Sequence, residues 1–223
     1  MKLVHSDLKM QLKFIENEAI VWVIEAPKRL RRYVKELWQQ TEGGEGEFVL
    51  SANGKLLDIA KQMEFILNPL DIQVNEKRCW NKVCSQLKEL AFAEQHYIKT
   101  QQLFTTIYRY FLSLEQDCEM EFCCDGELDF IQLLKATGIR LEECNDSLVE
   151  HLAQYMKAVT KLLKKKVIVF VNLSAFLEKE EVEQLIQQAF YLKVYVILIE
   201  SREIDLEISK KCYIIDKDSC EIY

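Results

Sequence analysis

Hydrophobic positions between residues 162 and 200 set the frame for the chain. Val167-Ile168-Val169-Phe170-Val171 and residues 194–199 are unbroken runs rich in β-branched and other apolar residues. Such runs are the pattern of strands buried on both faces. Between them Val182, Leu185, Ile186 and Ala189 recur at spacings of three and four, one apolar stripe of a helix over 177–189. Strand, helix and strand in this order predict a βαβ unit with parallel neighbouring strands and a right-handed crossover.

The same reading extends to both ends. Residues 12–15 and 19–24 alternate with the polar Glu16-Asn17-Glu18 as a hairpin would. Pro27 suits the first turn of a helix with Leu30, Tyr33, Val34, Leu37 and Trp38 on one face and Lys28, Arg31, Arg32 and Lys35 on the other. Residues 47–50, an Asn53-Gly54 turn and residues 63–67 predict further strands. A stretch free of glycine and proline over 75–114 predicts one long helix or two with a break near 95–100, since an unbroken one would run roughly 55 to 60 Å. Helices over 128–136, stopped by Gly138, and over 147–164, with Ser147 and Glu150 spaced as a capping box, complete a helical middle. The last helix carries Gln154, Lys157, Lys161 and Lys164 opposite its apolar stripe. Strands are expected again at 212–215 and 220–223.

The predicted sheet lacks the chemistry of a nucleotide site. The loop after the first strand of the βαβ unit reads Asn172-Leu173-Ser174-Ala175, and none of the six glycines falls there to let backbone amides close on phosphate. Asn53-Gly54-Lys55 has neither the upstream glycine nor the following hydroxyl residue of a phosphate loop. The eight cysteines show no C-x-x-C spacing and read as reduced thiols in a cytosolic protein, with no signal peptide or membrane-spanning run.

Net charge is −7, but residues 115–150 hold eleven acids against Lys135 and Arg140, a local −9. The remainder is slightly basic, which permits nucleic-acid binding. Glu115, Asp117, Glu119, Glu121, Asp125, Glu127 and Asp129 crowd seven carboxylates into fifteen residues. A solvated acidic loop and a calcium site both fit that cluster.

The basic triplet Lys164-Lys165-Lys166 feeding a strand that ends Phe170-Val171-Asn172, the Ala175-Phe176-Leu177 after it, Glu180-Glu181-Val182, Glu200-Ser201-Arg202-Glu203 and the stretch from Gly138 to Glu142 resemble the accessory adaptation protein of type II-A CRISPR systems, in its short form. The resemblance implies an α/β fold: a head domain with a largely parallel, nucleotide-binding-like sheet lacking a phosphate loop, from residues 1–74 and 161–223, plus an inserted α-helical leg domain, 75–160. It further implies a homotetrameric ring around double-stranded DNA ends, acting without catalysis in spacer acquisition beside other adaptation proteins and the RNA-guided nuclease. Calcium would sit at Glu115, Asp117, Glu119, Glu121 and Asp125. Lys157, Lys161, Lys164 and Lys165, then Arg31 and Arg32, are the candidate DNA contacts. A degenerate NTPase or nuclease, and a scaffold subunit that touches no DNA, are the alternatives.

Overall fold

The computed structural model describes residues 1–118, 121, 123, 128–144, 147–206 and 211–223. Along the chain lie β1 (Lys2–His5), β2 (Leu12–Lys13), β3 (Ile20–Ile24), α1 (Pro27–Thr41), β4 (Phe48–Ala52), β5 (Lys55–Leu57), α2 (Ile59–Gln62), β6 (Met63–Ile66), α3 (Lys77–Ala91), α4 (Glu94–Cys118), α5 (Phe130–Ala136) and α6 (Leu148–Leu163). They are followed by β7 (Val167–Val171), a 3-10 turn (Leu173–Ala175), α7 (Lys179–Tyr191), β8 (Tyr195–Glu200), β9 (Lys211–Ile215) and β10 (Glu221–Ile222).

Residues 1–74 and 142–223 form one compact unit and residues 75–141 another. In the first unit six strands are ordered β10-β9-β3-β8-β7-β6, all parallel except the edge strand β10. The expected βαβ unit is present: β7 pairs with β8 in parallel, Val167 opposite Tyr195, and α7 between them buries Val182, Leu185, Ile186 and Ala189. The expected hairpin over 12–24 is not. β2 pairs with β1 in a separate antiparallel sheet ordered β2-β1-β4-β5, whereas β3 runs parallel between β8 and β9. All five residues of β3 are buried, which demands a central strand, while the short β2, with Leu12 buried and Lys13 exposed, suits an edge. The β4–β5 hairpin turns through Asn53 and Gly54, both with positive φ (50° and 74°), as a two-residue hairpin loop of the right twist requires.

Alternation along the parallel strands sorts the helices onto two faces. Ile20, Trp22, Ile24, Val167, Val169, Ile197 and Ile199 share a core with Tyr33 and Leu37 of α1 and with Leu3, Phe48 and Leu50 of the antiparallel sheet. Glu64 lies one residue along β6 from Met63 of that core, so it points to the other face, where Tyr155 of α6 donates to its Oε1 at 2.8 Å. Hence α1 and α6 cover opposite faces of the sheet. α6 belongs to the first unit, not to the helical middle expected to run to residue 160, because Leu152, Met156 and Val159 are fully buried within that unit.

In the second unit the long helical stretch breaks at Phe92 and Ala93, slightly before the expected position, and Thr100 Oγ1 donates to the Ala91 carbonyl at 2.7 Å. Phe92 packs against Phe104 and Phe130. The Asn75 side chain bonds both the N–H and the carbonyl of Leu141, each at 2.9 Å, closing the unit where the chain enters and leaves it.

Candidate nucleic-acid interface

The most coherent cationic feature is built by α6. Its apolar stripe, Val149, Leu152, Tyr155, Met156 and Val159, faces inward, and this register leaves Lys157, Lys161 and Lys164 exposed on the other side. Spaced i, i+4 and i+7, they span roughly 10 Å of helix axis. Lys164 ends the helix in a left-handed conformation, φ 60°.

The next residue departs from expectation. Lys165 is only 7% exposed, and its Nζ donates to the carbonyls of Ala60 at 2.6 Å and Met63 at 2.8 Å while lying 3.5 Å from Glu64 Oε2. The helix has ended at Leu163, so the spacing that put Lys165 beside the basic stripe no longer applies. It is a core lysine. Its three partners and the Tyr155 hydroxyl make a satisfied buried network tying β6 to the connection between α6 and β7.

Arg31 and Arg32 are exposed on α1, and Arg32 Nη2 pairs with Asp7 Oδ2 at 2.6 Å. Because α1 and α6 cover opposite sheet faces, the arginines and the α6 lysines are not brought together in one chain.

Of the five expected calcium ligands, Glu119 and Asp125 lie outside the described residues. Glu115 is half-buried and Asp117 exposed at the end of α4, and Glu121 is exposed beyond it. Two positions apart on a helix, Glu115 and Asp117 point about 200° from each other, so they do not share one ion unaided. Asp129, the last acid of the cluster, caps α5 by accepting from Ile131 N at 2.8 Å. Hydrophobic periodicity does not reveal another group, His5, Asp7 and Glu47, whose donor atoms lie within 4.8 Å of one another. Its histidine is already occupied at both nitrogens: Nδ1 accepts from Asp7 N at 3.1 Å and Nε2 lies 3.2 Å from Glu36 Oε1.

At the carboxyl ends of the parallel strands, where such sheets take ligands, the chain bonds to itself. Only Glu25 and Ala26 separate β3 from α1, and Pro27 opens the helix. Asn172 after β7, at φ 49°, accepts from Ser201 N at 3.0 Å. Glu200 accepts from Ser174 N at 3.2 Å and Ser174 Oγ at 2.6 Å, and burial pushes its carboxyl above the ordinary range against those bonds. A cavity of about 730 Å³ beside these residues is lined by both Lys179 and Asp205, whose charged groups lie 3.7 Å apart, and by Arg202 with Glu203.

The family model described as CRISPR-associated protein (Cas_Csn2) matches residues 40–219. The chain belongs to that family. Curated relatives in it include the CRISPR-associated protein Csn2 of Streptococcus agalactiae, 31% identical over 109 residues, 48% of this chain and 46% of that protein. The Csn2 of Enterococcus faecalis is 29% identical over 87 residues, 39% of this chain and 38% of that protein. The aligned stretches thus span about half the length of these relatives or less. Among solved structures, cbiO1 from Clostridium perfringens, part of the ABC transporter complex cbiONQ, covers 96% of this chain with 79% of its own, at a TM-score of 0.50 and 12% identity. That likeness is one of fold. Among the described residues no helix is long and apolar enough to cross a membrane.

Proposed function

We propose that this Csn2-family chain is a non-catalytic, cytoplasmic protein of CRISPR spacer acquisition that binds double-stranded DNA without regard to sequence. It assembles as a homotetrameric ring and encloses DNA ends, working with the other adaptation proteins and the RNA-guided nuclease. The observation that carries the DNA reading is the exposed stripe Lys157, Lys161 and Lys164 on a helix whose other face is locked into the core. Three exposed ammonium groups suit phosphates and read no base edges. Self-association is supported by α4, which leaves Ile98, Tyr110 and Phe111 more than half exposed. The absence of nucleotide chemistry is supported by the two-residue β3–α1 connection and by the Asn172, Ser174 and Glu200 bonds that close the strand ends among the described residues. Calcium, held by acids drawn from Glu115, Asp117, Glu119, Glu121 and Asp125, is the cofactor of this reading, its oxygen donors matching a hard cation.

The test pairs light scattering with anisotropy. A mass four times the 26.3 kDa chain, together with equal affinity for unrelated duplexes of equal length, is expected. A monomer in calcium, or strong preference for one duplex, refutes it.

A further inference from the structure

His151 lies in the first turns of α6, half-buried. Its Nδ1 is 3.0 Å from the carbonyl oxygen of Cys144 and its Nε2 is 3.0 Å from the carbonyl oxygen of Ile72. A carbonyl oxygen only accepts, and a neutral imidazole carries a single N–H. Both contacts are hydrogen bonds only when the ring holds two protons. His5 provides the contrast, because its Nδ1 accepts a backbone N–H and one ring proton satisfies its partners.

The two carbonyls occupy particular places. Ile72 stands just before the chain leaves the first unit after residue 74, and Cys144 just after it returns at residue 142. We propose that His151 is a proton-operated latch, which as an imidazolium ties the outgoing and returning segments of the first unit to α6 and as a neutral ring gives up one of them. The returning segment keeps a second tie that does not titrate, since Gln154 Oε1 accepts from Cys144 N at 2.9 Å and Gln154 Nε2 donates to the Glu142 carbonyl.

Charged and titratable groups close in sequence to the latch are Glu150 on its own helix, Glu142, Glu143 and Cys144 on the returning segment, and Asp71 on the outgoing one. The Cys144 thiol donates to Glu150 Oε2 at 3.0 Å. The charged ring makes both bonds to carbonyl oxygens, and the neutral ring makes only one. The direction follows: the latch is closed at low pH and its contribution is lost as pH rises and the ring gives up its second proton.

The experiment uses the full chain in two measurements. Histidine ¹⁵N NMR is expected to show both ring N–H groups of the charged His151 protected from exchange with water, as two bonds to carbonyl oxygens require. On neutralisation of that ring, amide exchange should quicken at residues 72–74 or 142–144. For His151→Gln, which keeps one donor, the unfolding constant should exceed that of the native chain by about tenfold to a hundredfold at acidic pH, the loss of one charge-assisted bond. The gap should narrow as pH rises. Ring N–H groups on the charged His151 that exchange with water as freely as those of the exposed His96, amide exchange at both segments that ignores His151 ionisation, or a gap that does not change with pH would overturn the latch. Where His151→Gln does not fold, the NMR measurement on the native chain decides alone.

Discussion

Removing the α6 stripe gives the sharpest quantitative prediction. Lys157, Lys161 and Lys164 are exposed over roughly 10 Å, about three phosphate rises of 3.4 Å per strand measured along the duplex axis. Each neutralised phosphate contributes about 0.9 to the slope of log K against log salt, so the triple change to alanine should reduce the slope by about 2.7 for each protomer on the DNA. Between 50 and 200 mM salt the native protein should then lose roughly fortyfold more affinity than the variant for each protomer that contacts the DNA. Fold stability should hold within about 0.5 kcal/mol, because none of the three side chains enters the core. Fluorescence anisotropy of a labelled duplex across a salt series reads the slope, with thermal melting as the control. An unchanged slope in a folded variant would show that phosphates are held elsewhere.

Lys165→Ala should behave oppositely, leaving Glu64 buried without its cation and costing about 3–5 kcal/mol in urea unfolding; a loss under about 1 kcal/mol would contradict the buried network. Glu200 has its carboxyl raised by burial, so the native state takes up that proton more readily than the unfolded chain. Its stabilising contribution is complete below the ordinary carboxylate range and disappears as pH rises through the raised value. The native chain should therefore gain on Glu200→Gln as pH falls from neutral toward about 4, and parallel pH profiles of the two urea midpoints would refute this. Chelating calcium should lower the melting temperature and weaken DNA binding together; if neither moves, Glu115, Asp117, Glu119, Glu121 and Asp125 hold no structural ion.

The βαβ unit was legible because both its strands and its helix bury whole faces, and burial is what hydrophobic spacing records. Pairing partners were not. Residues 19–24 show their strand character in six apolar positions, yet nothing local says that they lie between strands from the far end of the chain, and the nearby residues 12–15 suggest a hairpin that does not exist. Periodicity places a helix over 147–164 with its lysines exposed but assigns it to the wrong unit, because an amphipathic stripe shows that a face is covered and not by what. Lys165 failed for a related reason. A run of three lysines reads as surface, whereas the turn at Lys164 and the carbonyls of Ala60 and Met63, about a hundred residues away in sequence, draw the middle one inside. The His5 group depends on the end of β1, the turn after it and the residue before β4 meeting, and has no signature along the chain.

In the proposed ring DNA is enclosed and enters by its ends. The direct measurement is the mobility shift of one duplex sequence presented as a linear molecule and as a covalently closed circle, at the same salt and calcium. The account predicts that the linear form is shifted, that the circle is not, and that cutting the circle once restores the shift. Equal shifts of the linear and closed forms would contradict it.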